Sequence, residues 1–187
     1  MGWHVVGNTA GMGHRRTGAR SLLRRLAAAL SLSLACACSG PKVVEPQYFD
    51  PQGTVYVSSE FSEQQAEVVI GAIHAWRDAT SGEVDLHVKI GDGAPLIRPA
   101  TQRDGLIAEF TPSDPPQIVV DTGKAELAWE LRNTMLHELG HALGLKHIER
   151  VESVMFPFAN SVQELDPWTL QAWARLNAHA EAVTPTP

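Results

Sequence analysis

Residues 137–147 read His-Glu-Leu-Gly-His-Ala-Leu-Gly-Leu-Lys-His, and no other stretch restricts so tightly what the chain can fold into. His137 and His141 are four apart, so on a helix their rings project from one face about 5.4 Å apart along the axis. That spacing lets two imidazole nitrogens reach one Zn²⁺ at about 2.0–2.1 Å. Gly144 follows Leu143 where such a helix would end, and a glycine there can take the left-handed conformation that stops it. The chain then turns back and His147 can bring a third imidazole to the same ion. Three neutral nitrogens leave a fourth tetrahedral position open, which marks a catalytic rather than a structural site. Glu138 is rotated about 100° from the first ligand. Its carboxylate can take a proton from an attacking water and pass it to a leaving amine.

The five fixed positions of this motif would arise by chance in a chain of this composition roughly once in ten thousand trials. The bland alternative is a histidine-rich amphipathic helix without metal, which needs three histidines in register by accident. A second alternative, a zinc site that has lost catalysis, is opposed by the intact Glu138.

Composition settles the setting. At 187 residues there is room for one ordinary domain. Residues 1–37 hold five arginines and no acid, although the whole chain carries a net charge of −6. The remainder is therefore strongly acidic, which argues against nucleic-acid partners and against docking on anionic lipid. Arg15–Arg25 is a basic stretch, Leu26–Ala37 an uncharged apolar run, and Cys38-Ser39-Gly40-Pro41 follows; Met12 can serve as the start. This describes an export signal, too short for a permanent membrane span. An amphipathic organellar targeting peptide is the alternative. Cys36 and Cys38 are the only cysteines. Their placement resembles the lipobox of bacterial lipoproteins, with Cys38 the better candidate for lipidation and plain cleavage and secretion the alternative. The expected organisation is a signal peptide over 1–37, a linker over 38–53, a catalytic domain over 54–179 and a disordered tail over 180–187.

The apolar pattern predicts strands at Thr54–Ser58, Val84–Ile90, Leu106–Phe110 and Ile118–Asp121, with residues 111–117 a loop. It predicts helices over Glu63–Ala79, over Ala125–Leu143, and from the Asp166-Pro167 cap to about His179. A twisted sheet with helices packed on it, an α+β fold, follows from that order.

Trp129–His147, followed by Ser153-Val154-Met155-Phe156-Pro157, resembles the matrixin-type branch of the metzincin peptidases. The resemblance spans Thr54 to about Asn177. It implies a mixed sheet of about five strands with three helices, the second bearing the motif, and a cleft above a smaller C-terminal part. It implies one catalytic zinc on His137, His141 and His147, with Glu138 as general base and Met155 as an apolar floor beneath the ligands. Phe156 and Phe158 follow Met155 where astacins and serralysins carry a tyrosine, so no tyrosine ligand is expected. Trp168 and Thr169 stand where matrixins carry an aspartate pair.

The expectation is therefore an exported zinc endopeptidase, monomeric, acting on protein or peptide substrates that lie along a sheet edge at or near Ile118–Asp121. The alternative from another class is an envelope-tethered protein that holds peptides at the zinc cleft without cutting them. Weaker sites remain open: a second metal on Asp85 and His87, and calcium at Gly91-Asp92-Gly93, each more simply a solvated strand face or a turn. His74 reads as a boundary residue. Trp76, Trp129, Trp168 and Trp173 read as core.

Overall fold

Alternation in Thr54–Val57 turns Val55 and Val57 to one side, where both are fully buried, and leaves Tyr56 on the other. The computed structural model describes residues 47–102 and 106–183, excepting the side chains of 179–183. Its elements run β1 (Thr54–Val57), α1 (Glu63–Ala79), β2 (His87–Ile90), β3 (Leu96–Pro99), β4 (Ala108–Thr111), β5 (Gln117–Val120), α2 (Ala128–Ala142) and α3 (Pro167–Val183). The five strands form one sheet in the order β2-β1-β3-β5-β4. All neighbours are parallel except β4, which runs antiparallel to β5 and forms one edge.

The helix α1 starts on a capping box, in which the Ser62 hydroxyl accepts from the Gln65 N–H and the Gln65 side chain accepts from the Ser62 N–H. It buries Val69, Ala72, Ile73 and Trp76 along one stripe. The Trp76 indole donates to the Leu136 carbonyl at 3.2 Å, tying α1 to α2, and its ring meets Trp173 of α3 edge-on. Val55, Val57, Ile97, Ile118 and Val120 from the sheet join these residues and Leu131, Met135 and Leu139 of α2 in a single core.

Several expectations need correction. The strand expected over Val84–Ile90 shortens to β2, an edge strand. Val84 and Leu86 are buried ahead of it, while Ile90 at its far end is 59% exposed. β3 has no counterpart among the expected strands, because prolines at 95 and 99 bracket it. The carbonyl of Pro95 nonetheless accepts from the Tyr56 N–H, and β3 sits at the centre of the sheet. Within residues 47–53, expected as linker, one ring enters the core. Phe49 is fully buried, and the amides of Tyr48 and Phe49 both donate to the Ala142 carbonyl at the end of α2. The last helix runs through Val183, beyond the expected end near His179. Trp129 and Trp168 are partly exposed rather than core, and Trp168 lies beneath the Arg150 guanidinium at 5.3 Å. The expected export signal, Cys36, Cys38, the first part of the linker and the final residues 184–187 lie outside the described residues. Among the described residues no helix is long and apolar enough to cross a membrane.

Candidate metal centre and cleft

The three histidines meet because of how α2 ends. Gly144 has φ +95°, its N–H donates to the His141 carbonyl, and the Leu145 N–H donates to the Gly140 carbonyl. These two bonds make a Schellman stop with glycine in the left-handed position. The chain reverses there and returns His147 to the face that carries His137 and His141. The Nε2 atoms of His141 and His137 lie 3.1 Å apart, and those of His141 and His147 lie 3.2 Å apart. This trio is the one metal-competent group among the described residues. Asp85 and His87 do not join such a group, nor does Asp92. His74 is exposed.

The backbone fixes the donor set. His137 Nδ1 is 2.7 Å from the Val154 carbonyl, and His141 Nδ1 is 2.9 Å from the Leu145 carbonyl. A carbonyl only accepts, so both Nδ1 atoms carry the proton and both Nε2 atoms present lone pairs. Lone pairs facing each other at this distance repel unless a cation lies between them. The chemistry of this donor set therefore fits Zn²⁺, with outer-sphere carbonyls holding two of the rings. Burial holds the His137 ring at about 4, with the neighbouring histidines adding to the shift against the Val154 bond. Burial likewise lowers His141, aided by His147 and opposed by the Leu145 bond. Both rings are therefore neutral at pH 7, as a ligand requires.

Met155 lies fully buried under this face. A Cβ added at Gly140 would collide with its Sδ, so the glycine of the first half-motif makes room for the methionine. The turn carrying Met155 is held from α3. Asp166 is buried and accepts from the N–H groups of Val154, Trp168 and Thr169 and from the Thr169 hydroxyl. The Ser153 and Thr169 hydroxyls are 2.9 Å apart. The Asp166 carboxylate thus caps α3 and also seats the segment whose Val154 carbonyl aims His137.

Glu138 lies beside the histidines, 8% exposed, in a cleft of about 510 Å³. Burial pushes its carboxyl up to about 7, opposed by a hydrogen bond from the Phe110 N–H and reinforced by the Glu109 charge. The upper wall of the cleft is β4, and the lower wall runs from Val154 through Phe156 and Phe158. The edge expected near Ile118–Asp121 is corrected: β5 is interior and β4 is the edge. The Asp121 N–H donates to the Ile107 carbonyl, so residues 107, 109 and 111 face β5. The backbone groups of Ala108 and Phe110 therefore turn toward the cleft.

Two further features carry no signal in the sequence. Asn133 bonds the Asn160 side chain at 3.0 Å and also the Val162 carbonyl, pinning the loop below the cleft to α2. Tyr48 lines a smaller cavity of about 200 Å³ with His141 and Lys146.

The family model described as Matrixin, of the M10 peptidases, matches residues 42–171. No curated protein matches the chain. Among solved structures the chain is similar to archaemetzincin from Methanopyrus kandleri, at 13% identity and a TM-score of 0.47, over 68% of this chain and 96% of that one.

Proposed function

The chain belongs to the matrixin family of metzincin zinc metallopeptidases, and on that premise we propose that it is an endopeptidase working at the centre of His137, His141 and His147. The observation that carries this reading is the convergence of three imidazole nitrogens beside a buried carboxylate, in a cleft bounded by an open strand edge. Zn²⁺ held by these three rings supplies Lewis-acid polarisation of a peptide carbonyl and lowers the pKa of water.

The chain's own residues do the rest. The N–H and C=O groups of Ala108 and the C=O of Phe110 offer a strand edge along which an extended peptide can pair, the Phe110 N–H being taken by Glu138. Glu138 takes the proton of the attacking water and delivers it to the nitrogen of the leaving amine. Met155 and Gly140 close the floor, and the Val154 and Leu145 carbonyls keep the rings in the tautomer that exposes Nε2.

The test is casein cleavage by the zinc-loaded protein and by Glu138→Ala. We expect the variant to keep its metal and to lose at least about a hundredfold in rate. Chelation should abolish cleavage by the parent and Zn²⁺ should restore it. Absence of cleavage by either protein would instead favour a protein that holds peptides without cutting them, and equal cleavage by both would contradict Glu138 as the base. The reading extends to location: the basic stretch, the apolar run and Cys38 support an exported protein anchored by lipid at the cell envelope.

A further inference from the structure

The peptide N–H of Phe110 donates to Glu138 Oε2 at 2.7 Å, across 28 residues of sequence. The donor is not a spare group of the sheet ladder. Residue 110 turns its N–H away from β5, so the bond leaves the open edge of β4 and reaches across to α2. One carboxylate oxygen is thereby held, and Oε1 is the oxygen left to meet water.

The donor is itself fixed. The Phe110 ring packs on Tyr48 with centroids 5.1 Å apart and on Phe49 at 6.1 Å. Tyr48 and Phe49 in turn donate their amides to Ala142 at the end of α2. The N-terminal segment thus clips β4 to the helix that carries Glu138, and the strand cannot drift from the helix without breaking that clip.

We propose that the Phe110 backbone amide is a positioning group for Glu138, so that the strand edge receiving the substrate also aims the base. This rests on the reading of Glu138 as the base. An aimed carboxylate presents one oxygen to the water at a fixed angle, whereas an unheld one samples several rotamers, and misplacement by about 1 Å can cost a hundredfold in rate. It also apportions the strand edge. The substrate pairs through Ala108 and through the Phe110 carbonyl, while the Phe110 N–H stays with the base.

The experiment compares the zinc-loaded full chain as Phe110→Ala, which keeps the N–H, with Phe110→Pro, which removes it. Proline at this place breaks no ladder bond, because the lost N–H points off the sheet. We expect kcat of Phe110→Pro to fall about 10- to 100-fold below that of Phe110→Ala, with KM and zinc content alike in the two. If Phe110→Pro does not fold, replacing residue 110 by its α-hydroxy acid analogue removes the N–H while keeping the ring, and the same fall relative to the wild type is expected. A raised KM with equal kcat would overturn the proposal and give the amide to the substrate. Equal or higher kcat would also overturn it, the latter by showing that the amide restrains the base. Glu138→Ala separates the two readings. If that variant stays active, the assignment of the base has failed; if it is inactive while the two Phe110 variants match, only the positioning has failed.

Discussion

At the scale of single residues, two glycines decide whether the histidines can meet. Gly140 leaves the space that Met155 fills, and Gly144 takes a φ that other residues reach only under strain. Gly144→Ala should destabilise the fold by about 1–2 kcal/mol, the cost of a left-handed L-residue. It should also loosen zinc binding, since His147 lies just past the bend. Urea unfolding and a zinc competition titration check this, and an unchanged affinity would detach the bend from the site. These glycines and the histidines are legible in the sequence because their spacing acts within one helix and one turn. The Phe110 contact is not, because a backbone amide is the same in every residue and leaves no mark in the sequence. Asn133 is hidden for a related reason: its partners Asn160 and Val162 lie far along the chain, and no local pattern announces them.

At the scale of elements, the connection from β3 to the cleft edge is held by one ammonium and one carboxylate. Lys124 donates to the carbonyls of Gln102 and Leu106 and lies 3.4 Å from Asp121. Asp121 accepts from the N–H groups of Gln102 and Gly123. The Gln102 N–H does most to hold this carboxyl below its ordinary range, with Lys124 and Gly123 adding to it against desolvation. A depressed carboxyl stabilises the fold above its unfolded pKa of about 3.9, and that contribution is lost as pH falls through the native value. Asp121→Asn should therefore be less stable than the parent at pH 7, and the gap should close in acid, below the unfolded value. Denaturant unfolding at both pH values measures it; a gap that persists in acid would mean the carboxylate charge is not what matters. The helices are readable because each carries a long apolar stripe or a cap, as Ser62 and Asp166 do. β3 is not, since four residues that follow one proline and end on another look like a loop until their neighbours on both sides are known.

At the scale of the whole molecule, the packed body begins before the first strand. Phe49 is buried in the core and Tyr48 lines the small cavity beside His141, so part of a segment whose proline and glutamine content suggests a tether packs against the folded body. Composition sees residue types but not the ring that one aromatic residue inserts into a core. The lipid anchor proposed at Cys38 is tested on the mature protein. Mass spectrometry of the mature N-terminus should find a lipid-modified Cys38; an unmodified start after Ala35 or Ala37 would remove the anchor. Catalysis of the proposed kind requires three imidazoles sharing one ion, and zinc K-edge absorption spectroscopy of the purified chain tests that directly. It should show one zinc per chain with three imidazole nitrogens at about 2.0–2.1 Å, falling to two in His147→Ala. Substoichiometric metal, or a first shell unchanged by that substitution, would contradict it.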